Sequence, residues 1–137
     1  IIGNIIVNYC LYRWQYPARS MLQAGATICG ASDWPLSSAN PFEAIYNAET
    51  RRGLLGVLDS TQCMPRMAML YAYTSEAAKA LMQEKYIGSL QAGKYADMIL
   101  LDRDVLTVTA EAMKDTLVLW TLFEGKKVYD AKGQKGF

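Results

Sequence analysis

The sequence predicts an α/β chain with a β-rich unit appended at its C-terminal end. Three observations carry this. ATICGA, residues 26–31, is a short apolar run bounded by turn residues, which suits a strand buried on both faces. Segments with helix start and stop signals follow it as far as Glu84. From Ile87 the texture changes to strand-like runs, with a hairpin signal at Glu124-Gly125. The change places a boundary near residues 84–87 and divides the chain into 1–86 and 87–137.

In chain order, residues 1–12 are rich in Ile, Val and Tyr and read as a strand or a buried helix, which periodicity does not separate. Pro17 resets the chain. ARSMLQAG reads as a short helix with Gly25 placed to end it in a left-handed conformation. After ATICGA comes a loop, Ser32 to Asn40. NPFEAIYNAETRRG is then strongly punctuated: Asn40 caps, Pro41 fits the first helical position, and Glu43 lies three residues past the cap. Phe42, Ile45, Tyr46 and Glu49 share one side, Arg51 and Arg52 fall in the last turn, and Gly53 stops the helix. The arginines suit a helix end facing solvent or acidic groups.

Residues 54–62 read as loop. PRMAMLYAYT is the next helix; Met64 is a poor cap for it, and Met64, Met67 and Met69 are expected in its core. Thr74 is expected to cap SEAAKALMQE. IGSLQAGKYADMILLD and TLVLWTLFEGKKVYD supply the strands, and AKGQKGF is a frayed tail. GSLQAGKYAD lacks the spacing of a phosphate loop; Gly88 and Gly93 permit turns, and Asp97 can bond a turn backbone.

Composition excludes several classes of function. The chain has 137 residues, 52% hydrophobic and 20% charged, with net charge +1, which fits one globular domain. No basic stripe offers a footprint for nucleic acid. The apolar start is shorter than the roughly 20 residues that span a bilayer and lacks a basic leader, so neither a membrane nor a signal peptide is expected. Cys10, Cys29 and Cys63 form no CxxC pair and suit buried free thiols in a reducing compartment, the cytoplasm. The first residue is not Met, from which we expect a piece of a longer protein or a processed product.

One residue stands out chemically. Asp33 follows directly on the expected strand, in GASDWP. Alone, it suits a turn cap. Three stretches in order change its meaning: MLQAGATICGASDWPLSSANPFEAIYNAETRR, MLYAYTSEAAKAL and IGSLQAGKYADMILLDRD. Together with LVLWTLFEGKKVYD they resemble metal-dependent amidohydrolases of the YtcJ-like, N-substituted formamide deformylase-like branch. There a strand ends in Gly-Ser-Asp-x-Pro, a Tyr-Thr-x-x-x-Ala helix follows, and Gly-Ser-Leu-x-x-Gly-Lys-x-Ala-Asp comes next. The family glycine before Ser-Asp is Ala31 here, with Gly30 one residue earlier.

The resemblance implies a (β/α)8 barrel plus a small β-sandwich in the complete enzyme. Residues 1–86 would hold the last barrel strand and following helices, and residues 87–137 the C-terminal sandwich strands, an incomplete fold. Asp33 would end the eighth strand, next to or ligating a divalent metal, zinc by preference, and would take a proton from the attacking water. Trp34 and Pro35 would shape the pocket rim. The family's metal-binding histidines would precede Ile1, and this chain contains no histidine. Asp33 is thus the only metal-ligand candidate and is insufficient alone, since a catalytic zinc normally has three protein ligands. No cofactor is expected for this chain by itself.

Two functions follow. The first is a C-terminal fragment of a hydrolase of non-peptide C–N bonds, inactive without the metal-binding histidines. The second is a stand-alone, non-enzymatic remnant whose open strand edges drive self-association. The expected partner is the missing part of the barrel or a second copy of the chain, giving a homo-oligomer.

Overall fold

A computed structural model describes residues 14–54 and 56–133. The expectations for residues 1–12, for Cys10 and for the end of the tail lie outside them. The fold is mixed α/β. Helix α1 spans Ala18–Gln23 and α2 spans Pro41–Thr50; a two-residue hairpin follows, β1 Arg52–Gly53 with β2 Gly56–Val57. Helices α3 (Arg66–Ala72) and α4 (Ser75–Ala80) come next. Strand β3 (Met98–Leu101), helix α5 (Ala110–Met113) and strands β4 (Val118–Phe123) and β5 (Lys126–Asp130) complete it.

The punctuation of α2 works as its residues dictate. The Asn40 side chain accepts from the Phe42 N–H at 3.0 Å, with Pro41 at the start of the helix. Its apolar side, Phe42 and Ile45, enters a core completed by Met64, Met69 and Met113. Ile45 and Met113 are fully buried, so the core draws on both the helical and the β-rich stretches. Met67, in contrast, is 45% exposed: two residues before Met69, it falls on the opposite, outer side of α3. Arg66 binds the two stretches together. Its guanidinium forks onto Glu49 at 3.1 and 2.9 Å and also donates to the carbonyls of Val105 and Val108.

Several boundaries differ from expectation. Helix α2 ends at Thr50, and Arg51 itself takes the left-handed cap position (φ 49°), so the arginines follow the last turn and Gly53 opens a hairpin. The Arg51 guanidinium holds chain, donating to the carbonyls of Gln15 (2.7 Å), Tyr16 (3.0 Å) and Leu58 (2.5 Å). Residues 54–62 contain that hairpin and a 3₁₀ turn, Ser60–Gln62, rather than plain loop. Thr74 does not cap α4; its hydroxyl donates back to the Leu70 carbonyl at 2.7 Å, the common alternative for a threonine at a helix end. Helix α5, capped by Thr109, carries too few residues to show a period and was not expected.

The largest difference concerns residues 26–31. They form no strand, because no described segment pairs with them and a ladder needs a neighbour. Cys29 is accordingly exposed rather than buried, and Cys63 is half-buried.

The C-terminal sheet is antiparallel, in the order β3-β4-β5. Within residues 87–101 only Met98–Leu101 is strand; the stretch before it consists of turns around Gly88 (φ 85°) and Gly93 (φ 91°). Gly88 also has no room for a side chain, since an added Cβ would lie 2.5 Å from that of Ala78. Glu124 and Gly125 both have positive φ, the two-residue turn expected between β4 and β5. Asp97 fixes that turn by accepting from the Glu124 N–H at 2.7 Å. Lys94 is engaged by Ser89 Oγ at 2.7 Å, which makes GSLQAGKYAD a self-tied turn.

Candidate active site

The segment carrying Asp33 is extended and held from one side. Its first anchor is Ile28, packed against the core. Its second is the Gly30 N–H, which donates to the Ala72 carbonyl at the end of α3 at 2.9 Å. A third is the Cys29 thiol, 3.3 Å from the Glu76 carbonyl. At Gly30 the backbone stands close against the Tyr73 ring: a Cβ there would stand 2.5 Å from Tyr73 Cε2. Burial pushes the Tyr73 phenol up from its ordinary pKa, so it stays protonated across the physiological range.

Past Gly30 the chain turns. Asp33 has φ 52°, which aspartate tolerates better than most side chains, and its carbonyl accepts from the Leu36 N–H at 2.9 Å. The Trp34 N–H meets Ser32 Oγ at 3.3 Å, the Ser37 hydroxyl donates to the Ser32 carbonyl, and the Trp34-Pro35 peptide is cis. Asp33, Trp34 and Pro35 therefore share one exposed turn, with Trp34 71% exposed. Among the described residues the Asp33 carboxylate has no hydrogen-bond or ion-pair partner. It makes none of the turn-capping bonds that a lone Ser-Asp pair suggests.

The donor set does not suit a divalent metal. Among the described residues no three His, Cys, Asp or Glu side chains converge as ligands, and the whole sequence has no histidine. One carboxylate cannot hold a catalytic zinc. The turn presents a carboxylate and an exposed indole side by side. Sequence reasoning missed Gly30 and Tyr73 as residues of this site. The signal was present, in the Tyr-Thr pair that opens the second motif, but nothing in a single sequence says what that tyrosine faces.

Comparison with known proteins bears on this turn. The profile of the amidohydrolase family matches residues 5–129. An N-substituted formamide deformylase from Arthrobacter pascens is 32% identical over 86% of this chain and 22% of its own length. A 5-methylthioadenosine/S-adenosylhomocysteine deaminase from Thermoanaerobacter pseudethanolicus is 34% identical over 64% of the chain and 20% of its own length. An imidazolonepropionase from Bdellovibrio bacteriovorus is 32% identical over 94% and 29%. The chain thus spans between a fifth and a third of the length of these curated relatives. No solved structure matches it.

Proposed function

This chain belongs to the amidohydrolase family, and from that premise we propose that it is the C-terminal portion of a metal-dependent hydrolase of non-peptide C–N bonds. Residues 1–86 end a (β/α)8 barrel and residues 87–137 contribute strands to a small sandwich. The observation that carries the reading is the exposed Asp33 carboxylate, unpartnered among the described residues, at the end of an extended segment. Its chemistry is proton transfer. Water adds to the carbon of the C–N bond, Asp33 takes the proton the water loses, and returns it to the departing nitrogen as the bond breaks. Trp34 and Pro35 line the rim against the substrate. The divalent metal, zinc by preference, would supply Lewis acidity when bound, and its ligands belong to protein outside this chain. The partner is then the rest of the barrel. Cys29 and Cys63 are free thiols, which suits the cytoplasm, and no helix of the described residues is long and apolar enough to cross a membrane.

The test is the intact mass and metal content of the protein from its native source. The reading expects a mass several times 15.3 kDa with bound metal. In that protein, Asp33→Asn should lower turnover of an N-substituted formamide by at least about 100-fold, the span of general-base catalysis. A metal-free protein near 15.3 kDa would refute it.

A second reading is favoured by one observation. Leu36, Leu54, Leu81 and Met82 are all strongly exposed, and strands β3 and β5 each have one edge unpaired among the described residues. A stand-alone chain of this kind would self-associate. Sedimentation of the 137-residue protein decides this: a monodisperse monomer at high concentration rejects it.

A further inference from the structure

We infer that Tyr73 is a positioning residue for Asp33, acting through Gly30. The inference rests on the hydrolase reading above for its functional meaning. Its geometry stands alone.

The segment before Asp33 is held, among the described residues, by contacts outside any strand ladder. The contacts available are those at the junction of α3 and α4. The Ala72 carbonyl takes the Gly30 N–H, the Glu76 carbonyl meets the Cys29 thiol, and the Tyr73 ring lies directly under Gly30. The ring is itself braced from behind by the core of Phe42, Ile45, Met64, Met69 and Met113. Gly30 is not in a left-handed conformation, so its torsions would accept alanine; only space forbids it. A methyl there would meet Cε2, Cδ2 and Cζ of Tyr73 at 2.5 to 2.7 Å. Ordinary carbon contacts are about 3.5–4.0 Å, so ring and backbone must part by about 1 Å. Asp33 lies three residues on, so the shift is passed to it through only two intervening residues. A displacement of about 1 Å at a reacting group can cost about 100-fold in rate. Tyr73 opens the Tyr-Thr pair of the second sequence motif, and this contact gives that tyrosine a task.

The test is a double-substitution cycle on the 137-residue chain, read by NMR shifts of residues 31–34 and by amide exchange at residue 30. Gly30→Ala should move the Ser32 and Asp33 resonances and speed exchange at residue 30 about tenfold, as the bond to Ala72 loosens. Tyr73→Leu should also move them. Combining the two should return the shifts toward the original, because the methyl occupies room the ring has left. Tyr73→Phe, which keeps the ring, should change none of them. Should Gly30→Ala fail to fold, the Tyr73→Leu and Tyr73→Phe pair still decides. Equal effects of those two, or a combined variant no nearer the original than the single ones, would overturn the inference. In the longer enzyme Gly30→Ala should lower kcat by about 100-fold and leave KM unchanged. Hydrolysis that survives Asp33→Asn would defeat the proton-transfer role given to Asp33, and no hydrolysis by the unaltered longer enzyme would defeat the hydrolase reading; either would leave the NMR result standing.

Discussion

The segment 26–39, which has no regular structure, and the sheet of β3, β4 and β5 are specified in opposite ways. The sheet is written locally. Glu124-Gly125 sets its turn, Asp97 fixes that turn, and its register follows from Met98↔Leu122 through Leu100↔Trp120. The site segment closes its own turn at residues 32–37 but is anchored from elsewhere: Ile28 by the core, Gly30 by Ala72 and Tyr73, Cys29 by Glu76. Structure that closes on itself can be read from neighbouring residues. Structure that leans on a distant surface moves when that surface moves, which is why a site placed there needs a well-braced support.

The strongest way to break the contrast is to remove the shared brace. Ile45→Ala should cost about 3 kcal/mol in urea unfolding, as a fully buried side chain is lost. Both regions should lose order in one transition, since Ile28 and Met113 pack on the same cluster; two separate transitions by NMR would show that the sheet stands alone. Next comes Arg66→Leu, which strands the Glu49 carboxylate and two carbonyls at a partly buried site. A loss of about 2 kcal/mol is expected by the same measurement.

Asp97→Ala sharpens the comparison. It should cost about 1 kcal/mol and perturb amide exchange at Glu124 and Gly125, while residues 26–39 keep their shifts. The smallest effect concerns acid. The Arg103 guanidinium, with the Leu117 N–H, holds the Asp102 carboxyl below its usual range, and Lys127 with the Lys132 N–H does the same for Asp130. A carboxyl with a lowered folded pKa stabilises above its unfolded value, about 3.9, and loses that contribution as pH falls through the folded one. Asp102→Asn should therefore lower Tm slightly at pH 6, with the gap to the unaltered protein closing below about pH 4. A gap that widened in acid would contradict the assignment.

What the sequence made legible follows the same contrast. Asn40 and Pro41 announced α2 and Glu124-Gly125 announced the hairpin, because each signal acts within a few residues. Asp97 was read as bonding a turn backbone, but the turn it bonds, at Glu124, lies 27 residues away. The turn bearing Asp33, Trp34 and Pro35 was legible as a motif. ATICGA was expected as a strand buried on both faces; among the described residues it is unpaired and mostly exposed, because apolar composition does not say which segments would cover and pair with it. Arg51 was placed inside α2 because a non-glycine residue in the left-handed cap leaves no mark in composition; the three carbonyls that hold it there come from two other segments. The contact of Gly30 with Tyr73 was illegible for a related reason: one sequence records a missing side chain without recording what fills its place.

Met113 sits wholly inside a core otherwise built by α2, α3 and the chain between them, and Arg66 grips the carbonyls just before α5. Residues 81–86, which join the two textures, are all exposed. A protease cutting there would separate less than it severs. The C-terminal piece would remain plugged into the helical one through a buried side chain and a forked cation. The chain is built like a clasp, whose hinge can be opened without parting the two halves.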